Sequence, residues 1–144
     1  MTDEAMKAKE FLDQYRDAVN MVRNLKEQAG QLEMLAEGTG IDVSKEQTGS
    51  NAVNDPTGEL GAKLADIYKN IMDAADKAVN VLMDVSRVIN AVDDPNGSRV
   101  LHLRFIELLA WEEIADEMHY TIRHVFRIRN SALVSAYHVI ECHN

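Results

Sequence analysis

Two apolar series with heptad spacing flank a stretch of small polar residues, and they constrain this chain of 144 residues more than any other feature. The first runs Phe11, Tyr15, Ala18, Val22, Leu25, Ala29, Leu32 and Ala36. The second runs Leu60, Leu64, Ile67, Ile71, Ala74, Ala78, Val81, Val85, Val88 and Val92. Steps alternating between four and three residues place each series on one narrow stripe of a helix, the pattern of a coiled-coil seam. A lone helix has nothing to bury such a stripe against. The two are therefore expected to bury each other in a long antiparallel helical hairpin, each arm roughly 50 Å long at about 1.5 Å per residue. A bundle of several chains built on the same seams is the competing arrangement. The alanines in both seams allow close approach either way.

Residues 38–58, "GTGIDVSKEQTGSNAVNDPTG", join the arms. Common helix–helix connections run about 2–8 residues, so this longer segment reads as a mobile tip or a partner contact. Its glycines are not followed by the Gly-Lys-Ser/Thr of a phosphate loop. A second boundary lies at residues 93–98, "DDPNGS". Pro95 disfavours a helical Asp94, Asn-Gly favours a turn, and Ser98 is expected to cap the next helix. The spacing then predicts helices from 99 to about 108, over 111–118, and from 122 to about 142. The expected fold class is all-α, with an acidic hairpin over 1–94 and a tri-helical domain over 95–144.

Charge divides the chain in the same way. Residues 1–96 hold 10 Lys and Arg against 18 Asp and Glu, a balance of −8. Residues 97–144 hold 5 against 6, a balance of −1, together with all five histidines. A net charge of −9 argues against a protein that holds DNA by bulk electrostatics. Yet residues 111–130, "WEEIADEMHYTIRHVFRIRN", carry four acids in their first half and three arginines without an acid in their second.

That reversal fits a helix-turn-helix. Two helices that cross steeply need a small residue where they touch, and Ala115 lies midway along the first. Ile114, Met118, Tyr120, Val125 and Ile128 are the expected core around the crossing. His119 occupies the left-handed position of the turn, a conformation histidine tolerates better than most residues. Thr121 is expected to cap the second helix through its hydroxyl. At about 100° per residue, with Val125, Ile128 and Ala132 inward, Arg123, Arg127 and Asn130 face outward. Arginine and asparagine are the side chains that make bidentate contacts with guanine and adenine in the major groove. His124 and Phe126 flank this face. Arg129 points toward the core edge and is expected to pair with Glu113 or Glu117. The DNA-binding set is thus Thr121, Arg123, His124, Phe126, Arg127 and Asn130.

The motifs "LRFI", "WEEIADEM", "YTIRHVFRI" and "SAL" within residues 99–133 resemble region four of bacterial sigma factors, and more closely the small sigma-like proteins of phages and prophages. The helical pair before them, ending in "INAVDD", is similar to that family more loosely. The resemblance implies a sequence-specific DNA-binding regulator of phage genes in the cytoplasm of a bacterial host. It does not imply a complete sigma factor. Residues 1–96 are acidic and hold only Phe11, Tyr15 and Tyr68 as aromatics, too few to open promoter DNA. The expected partners are double-stranded DNA and a second copy of the chain, with the hairpin either self-associating or contacting RNA polymerase. Two rival functions remain open: a DNA-packaging subunit like small terminases, and a module that docks on polymerase without touching DNA.

Other chemistry is thin. The charged N-terminus has no apolar leader core, and no apolar run approaches the roughly 18 residues of a membrane span. The single Cys142 suits a reducing compartment. "HVIECH" sets His138 and Cys142 one helical turn apart with His143 beside them, but a fourth ligand is missing, so no metal site is expected. No catalytic constellation and no cofactor motif stands out. A homodimer or higher oligomer is expected because Leu133, Ala136, Tyr137, Val139 and Ile140 exceed what a tri-helical core needs. Such surplus apolar surface marks an interface or is covered by the hairpin.

Overall fold

The computed structural model of the chain describes residues 1–38 and 56–143, and its regular structure there is entirely helical. In chain order the helices are α1 (Asp3–Leu12), α2 (Gln14–Gly38), α3 (Pro56–Asn90), α4 (Pro95–Phe105), α5 (Trp111–Met118) and α6 (Ile122–Cys142). Most of the expected connection at 38–58 lies outside the described residues. No described helix is long and apolar enough to cross a membrane.

The first arm is two helices where the heptad pattern predicts one. Thr2 caps α1, its hydroxyl accepting from the Ala5 N–H at 3.2 Å. Asp13 ends it, and its carboxylate is held by Lys9 at 2.8 Å and by Arg16 at 3.6 Å. Aspartate is a weak helix former, and with both oxygens engaged it marks a joint between α1 and α2. The apolar stripe runs through this joint unbroken. Every residue of both heptad series is buried or half-buried, from Phe11 to Ala36 and from Leu60 to Val92.

The chain divides into two units, Met1–Ala18 with Ala78–Asn144, and Val19–Lys77. In the second, Ala29, Leu64 and Ile67 are buried with Leu25, Leu32, Leu60 and Ile71 packed around them. The Tyr68 hydroxyl donates to the Glu33 carboxylate, and that bond, with some burial and the Glu33 charge, raises the phenol's pKa.

The first unit holds the main core. Ala5, Ala8 and Leu12 of α1 meet Val85, Val88, Ile89 and Val92, Leu101 and Phe105 of α4, and Ala132, Leu133 and Ala136 of α6. This unit cuts across the boundary expected at 94/95, because residues 1–18 and the end of α3 share a core with the helices after Pro95. The cause is the length of α6. Beyond the helix-turn-helix it carries Leu133 and Ala136, with Tyr137, Val139 and Ile140 half-buried beside them, and α1 lies against it. The alanines of α1 let the two backbones come close. The surplus apolar face of α6, one ground for expecting an oligomer, is therefore covered within the chain.

Helix α4 starts at Pro95, four residues before the start at 99 that the spacing predicts. Pro95 takes the first helical position, where its missing N–H is no loss. Asp94, not Ser98, is the cap, its carboxylate accepting from the Asn96 and Gly97 N–H groups at 3.2 Å each. Ser98 is thereby free to donate its hydroxyl to the Ile89 carbonyl at 3.0 Å, tying α4 to the end of α3. The helix stops at Phe105, because Leu108 turns left-handed at φ 61° and the Leu109 N–H reaches back to the Leu103 carbonyl at 3.0 Å.

Candidate nucleic-acid interface

The smaller core of the first unit holds α4, α5 and α6 together. Val100, Leu103, Ile114, Ala115 and Val125 are buried, with Leu109, Trp111, Met118 and Ile128 packed on them. Ala115, the small residue expected at the crossing, is buried in this core. The turn follows the expected chemistry: His119 is left-handed at φ 60° and ψ 39°, and the Tyr120 N–H donates to the Ala115 carbonyl at 3.0 Å. The Thr121 hydroxyl accepts from the His124 N–H at 3.2 Å, capping α6.

Tyr120 does not enter this core. It is 36% exposed, its ring edge-on to His124 with centroids 4.7 Å apart, and its hydroxyl accepts from the Asn96 side chain at 3.4 Å. Met118 and Ile128 serve as the apolar rim instead.

Arg123 and Arg127 are exposed on α6, and neither forms an ion pair or side-chain hydrogen bond among the described residues. Asn130 is exposed as well, but its Oδ1 already accepts from Arg129 Nε at 3.0 Å and Nη2 at 2.8 Å. Reading a base through that oxygen requires breaking those bonds. His124 is half-buried beside Tyr120, and Phe126 is half-buried against Trp111, ring centroids 5.6 Å apart and planes at 78°. Phe126 thus packs α5 onto α6 and flanks the outward face.

Arg129 pairs with neither Glu113 nor Glu117. Its guanidinium lies 4.5 Å from the Phe126 ring centroid and 5.3 Å from that of Trp111. Glu117 is instead 3.8 Å from Arg99, an exposed pair of little energetic weight. A planar guanidinium stacks on aromatic faces with less desolvation than an ammonium would suffer, so the rings substitute for a carboxylate. Arg104 lies over the same indole at 4.7 Å and donates from Nη1 to the Leu109 carbonyl at 2.9 Å. Burial first, and the nearby Arg104 charge second, lower the pKa of Arg129 from its ordinary value. Nothing in the sequence spacing links Arg104 to Arg129; only the fold brings them onto one ring.

At the far end of α6, Asp93, His138, Cys142 and His143 line a cleft of about 390 Å³ with Ala91, Val92, Ser135 and Val139. Among the described residues, no three His, Cys, Asp or Glu side chains converge to hold a metal ion.

Comparison with family models, curated proteins and solved structures finds no match to this chain.

Proposed function

We propose that this protein is a DNA-binding transcriptional regulator of phage or prophage type, whose helix-turn-helix enters the major groove with α6 and whose acidic N-terminal arms meet RNA polymerase. One observation carries the reading. Arg123 and Arg127 stand exposed and, among the described residues, without partners at the start of a helix fixed by a left-handed turn and a threonine cap. Arginine is long and entropically expensive to fix, and two of them one turn apart on the outer face match the geometry of guanine contacts. The likeness of residues 99–133 to sigma region four supports the same reading. So does the absence of any acid between Thr121 and Ile140, which keeps like charge away from phosphates.

The acidic balance of residues 1–96 fits a protein-facing role, since −8 repels DNA. Dimer formation loses one argument, because α1 covers the apolar end of α6. Selection of bound fragments from a fragmented bacteriophage-bearing genome with purified protein tests the proposal. Recovery of a short common sequence is expected. Recovery of random fragments, or of none, overturns it.

A further inference from the structure

Two arginines on one indole, with no acid between them, are an unusual use of charge. Arg104 comes from α4 and Arg129 from α6, and Trp111 is the first residue of α5, so three helices contribute to one cluster. Both arginines are half-buried. Among the described residues neither makes an ion pair, although Glu112 and Glu113 sit in the adjacent first turn of α5. Each arginine has some of its donors occupied: Arg104 by the Leu109 carbonyl, Arg129 by the Asn130 side chain. Each keeps further N–H donors of its five-donor fork. Aromatic faces hold the two cations but do not neutralise them. Burial first, and the neighbouring Arg104 charge second, already depress the affinity of Arg129 for its proton.

We propose that Arg104 and Arg129, held on Trp111, form a phosphate-binding site that takes the backbone of one DNA strand beside the reading face of α6. The DNA source rests on the function proposed above. A phosphate is the fitting ligand because guanidinium forks match its oxygens and its charge removes the repulsion between the two cations. The site flanks the reading face through Phe126, whose ring touches both Trp111 and Arg129. In that position it fixes the register of the helix on the duplex and carries no sequence information. It also answers an electrostatic difficulty, since a chain of net charge −9 needs its few cations concentrated where phosphates pass. The α5 terminus itself is not the site, because Glu112 and Glu113 occupy its first turn.

Trp111 is the only tryptophan, so its emission reports directly on the cluster. The experiment titrates the full chain with a mixed-sequence DNA duplex and, separately, with inorganic phosphate, and measures duplex affinity against salt for Arg104→Gln, Arg129→Gln and the corresponding Lys variants. The expected result is a change in Trp111 emission on adding duplex. Each Gln variant should lower the log–log salt slope by about 0.9, the loss of one phosphate contact, and each Lys variant should keep it. Wild-type slopes in both Gln variants, with DNA still bound, would overturn the site and leave the proposed function standing. A response to inorganic phosphate without any binding of duplex would keep the anion site and remove its DNA source. Silence toward both ligands overturns the site. If the Gln variants fail to fold, the emission response of the unaltered chain decides alone.

Discussion

The indole of Trp111 meets the ring of Phe126 edge-on, with centroids 5.6 Å apart, and so fastens the start of α5 to the first turns of α6. Edge-on pairs contribute about 0.5–1.5 kcal/mol beyond the area they bury. Phe126→Leu keeps most of that apolar area and removes the pair. It should lower unfolding stability by about 1 kcal/mol in urea titration at unchanged m-value. An unchanged midpoint would mean that the ring contact does not hold the two helices together.

The outer face of α6 should separate reading from folding. Arg123→Ala and Arg127→Ala are each expected to weaken binding to the selected sequence by about 1–3 kcal/mol, with thermal midpoints close to the parent. If both variants weaken specific and random duplexes equally, they are phosphate contacts and not base readers.

The turn offers a prediction of opposite sign. His119 is held at φ 60°, a region that costs a residue with a Cβ about 1 kcal/mol or more and glycine almost nothing. His119→Gly should therefore stabilise the protein by about 0.5–1 kcal/mol. Thr121→Ala, which removes the α6 cap, should destabilise it by about 1 kcal/mol. Calorimetric midpoints moving the same way for the two variants would contradict this account of the turn.

Gly97 lies close against α6 at Ala132. A Cβ built there would lie 3.0 Å from the Ala132 Cβ and 3.3 Å from an Asp94 carboxylate oxygen. In an open helix, Gly→Ala gains up to about 1 kcal/mol. Here overpacking, typically about 1–3 kcal/mol, outweighs that gain. Gly97→Ala should lose about 1 kcal/mol net and Gly97→Val more, measured by denaturant unfolding. A stabilised Gly97→Ala would show that α4 can shift away from α6 without penalty.

Local rules determined much of this protein from its sequence. Steps of three and four along residues 11–36 and 60–92 fixed which side of each long helix is buried, because a helix has only one periodicity to offer. The helix-turn-helix was legible at Ala115, His119 and Thr121, and the bounds of α5 and α6 followed from them, since turns and caps are satisfied by residues within a few positions. At Ser98 the same rules misled: Asp94 and Ser98 are both good caps, and Pro95 at the first helical position with Asp94 capping Asn96 and Gly97 set the earlier start that left Ser98 for Ile89. What only the tertiary structure decided are the contacts between residues far apart in sequence. Whether α6's last turns meet another chain or α1, and whether Arg129 finds Glu117 or the ring of Trp111, depends on helix packing angles and side-chain reach. Spacing along the chain encodes neither, because side chains as distant as Arg104 and Arg129 become neighbours only when three helices have closed on one core.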